Sequence, residues 1–332
     1  MWFDWNIIET DPKFQKGILG FLKMKWWFLN SKKLLENYDT IFFSNEAITG
    51  IWWIPPRAKT YYYAHSISRH LFDQHKQYLQ KVPLLLKPLF FLFSIFLRFL
   101  YKQEIKKIDT IFTNSLINKK RISDWLDRDD AIIIYPSVDT QKFKIYDKKS
   151  ILQIFAIEWI ILINKGYYLS FSRLTHAKRI DTIIRAFQQL PDKKIVILYG
   201  ENDSQKDEFI KMGEWYSNII FHKLIDNNNL QYIISWALMS ISISENEDFG
   251  MVAIESMACG TPVIAVNEWW YLETIVDQET GFFIDSKDLQ NNLIKIIQDA
   301  HPEWILGMED ACRKQAELFS LENMNSEIRK YL

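Results

Sequence analysis

From about residue 165 onward, short apolar runs alternate with segments of helical spacing, and this alternation restricts the fold more than any other feature. "GYYLSFSRL", "KKIVILYG", "NIIFHKL", "LMSISIS", "TPVIAV" and "TGFFID" read as strands. Between them, "RIDTIIRAFQQL", "KDEFIKMGEWY", "NNNLQYIISWA" and "GMVAIESMACG" read as helices, and "LQNNLIKIIQDA" follows the last strand as another. A strand that is apolar along its whole length must be covered on both faces. Alternation with helices therefore predicts a parallel sheet with helices on either side, a doubly wound α/β domain.

The first half is patchier. "YDTIFFSN", "AKTYYYAH", "IDTIFTNS" and "AIIIYPS" predict four more strands and a second Rossmann-like layer, but no strand, Gly-rich turn and helix opens it. Its most apolar stretch is 83–101, "PLLLKPLFFLFSIFLRFLY". The uncharged run between Lys87 and Arg98 is ten residues, short of the ~20 needed to cross a bilayer. Two readings fit equally: a helix lying on a membrane, flanked by Arg98, Lys102, Lys106 and Lys107, or a buried helix of the N-terminal domain.

The chain's 332 residues suit two domains. Lys+Arg 40 against Asp+Glu 41 gives a net charge of -1, which argues against wholesale nucleic-acid binding. Two cysteines are too few for a disulfide framework and suit a reducing compartment. The opening "MWFDWNIIETDPKF" has early acids and no apolar run, unlike a signal peptide.

The densest chemistry lies in "ENEDFGMVAIESMACGTPVIAV". Gly250 permits a tight turn, and the free N–H groups at the start of the helix from Met251 suit an anion such as a phosphate. Glu247 falls in the loop before that helix and Glu255 about one turn inside it. Both can face the carboxyl edge of the sheet, where open α/β sheets bind ligands. By spacing alone, two solvated glutamates at a helix start fit as well. His65, His70 and His75 are five apart, about 140° per step on a helix, and share no face on which to hold zinc. Cys259, inside "MACGTP", reads as a packed small residue.

The segment from Glu247 to Ala265 resembles the donor-binding signature of glycosyltransferase family 4, retaining enzymes with a GT-B fold. Other segments agree in order: "SFSRLTHAKRID" with Arg173 and Lys178, "IIIYPSVDTQKF" with Pro136, Val138, Asp139 and Phe143, "TNS" at 113–115, and "YYYAHSISRHLFD" with His65 and Arg69. The similarity covers roughly 38–325. It implies two Rossmann-like doubly wound domains facing a central cleft. We place an N-terminal acceptor-side domain at 1–160, a nucleotide-sugar domain at 161–310, and a terminal helix at 311–332 packing back on the first domain. The pattern is similar to that of mannosyltransferase-like members.

The resemblance also implies roles. Arg173 and Lys178 would neutralise the donor diphosphate, leaving no metal or other cofactor to be required. Glu255 would bind the nucleotide ribose. Glu247 would hold sugar hydroxyls, and the backbone around Phe249, Gly250 and Met251 would contact sugar or phosphate. His65, with Arg69 nearby, would contact the transferring sugar, and front-face displacement calls for no protein nucleophile. The expected activity is retaining transfer of a hexose from a nucleotide diphosphate sugar to a glycan or lipid-linked acceptor in surface-polysaccharide synthesis. The setting is cytoplasmic, at the inner face of the cell membrane if 83–101 makes peripheral contact. A GT-B nucleotide-sugar epimerase and a truncated, non-catalytic binder are the rival readings.

Two departures stand out. The chain starts at a point that resembles the middle of the family's N-terminal domain, implying that the first strand–helix unit is absent. And "EWWYLE" at 268–273 stands where the family has a Gly-Gly pair before a Glu, here Glu273. Only 10 glycines stand against 13 tryptophans, six of them in three Trp-Trp pairs, where the usual glycine share is about 7%. Trp53 and Trp236 also sit where glycine would be natural, while Trp125 in "ISDWLD" reads as genuine. Together these suggest that some codons read as tryptophan, those of Trp269 and Trp270 first, are decoded as glycine in the source. If the pair is tryptophan, a turn needing φ > 0 would be strained there.

Overall fold

A computed structural model describes residues 18–147, 166–201, 203, 205–223 and 229–332. By internal contacts the chain divides into two units, Met1–Asn114 with Asn118–Ile133, and Ser115–Ile117 with Ile134–Leu332. The boundary thus falls at Ile133/Ile134; the one expected at 160/161 lies outside the described residues, as does the N-terminal "FDWNIIETDPKF".

The N-terminal unit runs α1 (Ile18–Leu29), α2 (Lys32–Leu35), β1 (Thr40–Ser44), a 3-10 segment (Asn45–Trp53), β2 (Lys59–Ala64), α3 (His75–Lys81), a 3-10 turn (Leu84–Leu86), α4 (Lys87–Lys106), β3 (Thr110–Thr113), α5 (Leu116–Leu126) and β4 (Ile132–Ile133). The strands pair in parallel in the order β1-β2-β3-β4. All four predicted strands are present, although β4 is only two residues of "AIIIYPS". Five of the six residues of β2 are buried, as a two-faced parallel strand requires.

α4 is the crossover between the parallel neighbours β2 and β3. Ser94, Leu97, Tyr101 and Ile105 are buried at spacings of three and four, and Leu97, Tyr101 and Ile105 join the core of this unit. The ten-residue uncharged run understates this helix. The continuous helical stretch Leu84–Lys106 has 23 residues and mean hydropathy 1.8, enough in length and composition to span a bilayer. The reading of 83–101 as a buried helix holds for one face only.

The C-terminal unit runs β5 (Tyr167–Ser170), α6 (Ile180–Gln188), β6 (Lys194–Tyr199), α7 (Lys206–Gly213), β7 (Ile219–Lys223), α8 (Leu230–Trp236), β8 (Met239–Ser242), α9 (Met251–Ala258), β9 (Val263–Val266), α10 (Trp269–Leu272), β10 (Gly281–Ile284), α11 (Leu289–Asp299), α12 (Pro302–Leu306), α13 (Glu309–Glu317) and α14 (Leu321–Arg329). Every strand and helix predicted after residue 165 is found. The residues of β5, β8 and β9 are buried throughout. On α6, Ile180, Ile183, Ile184 and Phe187 repeat at i, i+3, i+4 and i+7 and are buried. α6 packs against α11, and α9 packs against α13. The helices α13 and α14, in the stretch expected to return to the N-terminal domain, belong to this unit.

The six parallel strands lie in the order β10-β9-β8-β5-β6-β7. The chain starts in the middle at β5, winds out through β6 to β7, and returns to lay β8 on the other side of β5. The order therefore reverses between β5 and β8, which is the topological switch point of a doubly wound sheet.

Candidate donor-binding site

At a switch point the loops leaving the two strands part to opposite faces and open a crevice at the carboxyl edge of the sheet. Here those loops are 171–179, after β5, and 243–250, after β8. They hold Arg173 and Lys178 in one, and Glu247, Phe249 and Gly250 in the other. Topology thus assembles five residues singled out in the sequence.

The two loops are tied by backbone and side chain. The Glu245 amide donates to the Ala177 carbonyl at 2.7 Å. Arg179, left-handed at φ 53, donates to the Ile243 carbonyl at 3.3 Å and lies 3.7 Å from Glu268. Burial raises the Glu268 carboxyl above its ordinary range, and Arg179 opposes that rise. The Lys178 ammonium donates to the Glu247 carboxylate, so the expected phosphate-binding cation and the expected sugar-binding carboxylate hold each other. Arg173 is exposed and, among the described residues, makes no ion pair, which leaves its guanidinium open toward solvent at the strand end.

Gly250 caps α9 at φ 82 and is buried. A Cβ there would sit 3.0 Å from Tyr271 Cε1. Both the left-handed backbone and the ring require glycine. The Tyr271 hydroxyl shares a 2.7 Å hydrogen bond with Ser242 Oγ at the end of β8, and burial pushes its pKa up to about 12. Tyr271 is the residue that sequence reasoning missed: it is buried and seats the turn before α9. Its only signal was its place beside the abnormal Trp-Trp pair.

Met251 opens α9 and Glu255 lies one turn in. Burial raises the Glu255 carboxyl to about 7, and the Lys142 charge pulls the other way. Among the described residues its carboxylate receives no hydrogen bond. A mostly buried carboxylate without a donor suits a hydroxyl-bearing ligand. Cys259, at the end of α9, is buried, its thiol raised by desolvation, with Sγ 3.5 Å from the Gln231 carbonyl. It is a packed residue, as its context predicts.

The turn "EWWYLE" differs from expectation. Trp269–Leu272 is helical, entered from extended Glu268, and neither tryptophan has positive φ. The predicted strain is absent, because helical backbone accepts any L-residue. Trp270 is instead a core residue at 4% exposure, and its buried indole N–H has no hydrogen-bond partner among the described residues.

His65 and Arg69 lie in the N-terminal unit after β2. His65 Nε2 is 3.2 Å from Ser44 Oγ, its ring lies against Tyr63, and its carbonyl accepts from Asn114 and Asn118 at 2.9 Å each. Arg69 is engaged with Asp73 at 2.9 Å, and Arg121 approaches the same carboxylate at 3.6 Å. Among the described residues, no cluster of His, Cys, Asp or Glu could hold a metal ion.

Known proteins share this fold. A sucrose-phosphate synthase from Thermosynechococcus elongatus superposes with a TM-score of 0.71 at 18% identity, over 98% of this chain and 84% of that one. Anabaena Alr3699/HepE, solved in complex with UDP-glucose, gives 0.70 at 19% identity, over 96% and 84%. The fold is thus GT-B, the two-Rossmann-domain class of glycosyltransferases. Residues 157–318 match the model of the glycosyl transferases group 1 family. The D-inositol 3-phosphate glycosyltransferase of Mycobacteroides abscessus is 25% identical over 191 residues, 55% of this chain and 42% of that protein. The alpha-1,3/1,6-mannosyltransferase ALG2 of Dictyostelium discoideum is 26% identical over 234 residues, 60% and 55%. The chain spans about half the length of the curated relatives it matches.

Proposed function

We propose that the chain is a retaining glycosyltransferase of family 4, moving a hexose from a nucleotide diphosphate sugar to a glycan or lipid-linked acceptor. The observation carrying this is the switch-point assembly: Arg173, the Lys178–Glu247 pair, the Gly250 turn at the α9 N-terminus, and the unpartnered Glu255 carboxylate. In this reading Arg173 and Lys178 stabilise the charge that develops on the departing diphosphate, and the α9 amides add their dipole. Lys178 is released to phosphate as Glu247 turns to sugar hydroxyls. Glu255 accepts from the ribose, and the cationic side chains supply the charge a metal would otherwise bring. His65, and Arg69 once freed from Asp73, serve the transferring sugar. The setting is cytoplasmic surface-polysaccharide synthesis.

The Anabaena structure with UDP-glucose supports a nucleotide-sugar donor. Thermal-shift titration with UDP- and GDP-sugars tests binding. Arg173→Ala and Glu255→Ala should each weaken the preferred donor roughly ten- to a hundredfold, the loss of a charge-assisted hydrogen bond. No shift with any nucleotide sugar would refute the reading. Retention is read from the anomer of the product by NMR.

A further inference from the structure

Helix α4 is apolar on both sides, but among the described residues only one side is covered by protein. Opposite the buried Ser94, Leu97, Tyr101 and Ile105 lie Leu89, Leu92, Ile95, Phe96 and Phe99, all exposed, with Leu85 just ahead of the helix. Leu85 is 92% exposed, Leu92 64% and Phe99 59%. These are large side chains at helical spacing on one face, far from the scatter of single exposed apolar residues that any surface carries. No charged residue interrupts that face between Lys87 and Lys102; the one charge in between, Arg98, turns back and donates to the Leu71 carbonyl.

The ends are basic. Between His75 and Ile108 the chain has seven Lys and Arg and a single acid, Glu104, which is buried. Lys81 and Lys87 stand at one end, Lys106 and Lys107 at the other. Two copies pairing through this face would set lysines against lysines in either orientation. An anionic surface is the complement of both ends at once, and a hydrocarbon layer is the complement of the face between them.

We propose that this face docks on the surface of an anionic lipid bilayer, with α4 in the plane of the interface. Spanning is excluded by topology. α4 is the crossover joining β2 to β3, adjacent parallel strands of one sheet, so both of its ends are tied to the same layer. The inference does not depend on the donor chemistry proposed above.

The test is co-sedimentation of the full chain with phosphatidylcholine vesicles, with and without phosphatidylglycerol. The chain should bind vesicles containing phosphatidylglycerol, and binding should fall with added salt. Leu92→Glu/Phe96→Glu should weaken binding at least about tenfold with an unchanged melting temperature, because both side chains are exposed. If that variant does not fold, Leu92→Gln/Phe96→Gln is read instead. Lys106→Glu/Lys107→Glu should weaken binding and flatten its salt dependence. The proposal falls if wild type stays in the supernatant with both vesicle types, or if the variants bind as it does. Equal binding to neutral vesicles overturns the anionic preference. A lipid-free dimer that Leu92→Glu/Phe96→Glu converts to monomer would reassign the face to self-association.

Discussion

Glu255 shows how one mostly buried carboxyl links stability to ligand binding. Its folded pKa of about 7 lies above the ordinary 4.5, because burial penalises the charged form. A raised carboxyl pKa contributes stability that is fully present below the unfolded value and lost as pH rises through the folded one. Above about pH 7 the wild type therefore carries the whole penalty, on the order of 3 kcal/mol. Glu255→Gln carries none, so it should melt higher than wild type at about pH 8 and converge with it near pH 4, as followed by differential scanning calorimetry. A ligand hydroxyl bonded to the charged carboxylate reverses part of that penalty. Donor affinity in wild type should therefore fall as pH drops below about 7, while Glu255→Gln stays weak and flat.

At the scale of elements, α10 is where expectation and structure diverge most. The pattern of the family led to a glycine turn; the backbone found is helical and asks for no glycine at 269 or 270. What remains abnormal is chemical: the Trp270 indole N–H is buried without an acceptor among the described residues, a defect that typically costs about 1–3 kcal/mol. Trp270→Phe keeps a ring in the core and removes the orphaned donor, so it should leave stability unchanged or raise it by about 1 kcal/mol in urea unfolding. The codons decide the decoding question directly. UGA at 269 and 270 supports glycine in the source, and UGG ends that idea. Elements of strong periodicity were legible in advance: β5, α6, β6, α9 and β9 stand where the sequence puts them. α4 was only half legible, because a helix apolar all round does not say which face the protein covers.

At the scale of the whole molecule, each unit has its own core, one built around Tyr62, Tyr101 and Ile111 and the other around Tyr168, Ile197 and Ile264. All the proposed diphosphate and ribose contacts come from the second. A bound nucleotide should therefore slow amide exchange in 171–179 and 243–255, the loops leaving β5 and β8 and the start of α9, with smaller effects across the first sheet. Hydrogen-exchange mass spectrometry with and without UDP reads this, and protection confined to 40–133 would contradict the site.

Local pattern determined the elements and the class of fold, since apolar runs of strand length between amphipathic helices can bury themselves only as a covered parallel sheet. The resemblance in "EDFGMVAIESMACGTPVIA", "SFSRLTHAKRID" and "YYYAHSISRHLFD" named the candidate residues of the site. Three outcomes depended on tertiary structure. Lys178 found Glu247, 69 positions away. Tyr271 closed on Gly250, and the outer face of α4 was left bare among the described residues. Each is a contact, or the lack of one, between segments far apart in the chain. Such pairings are set by strand order and crossover geometry, and no window of sequence contains both partners.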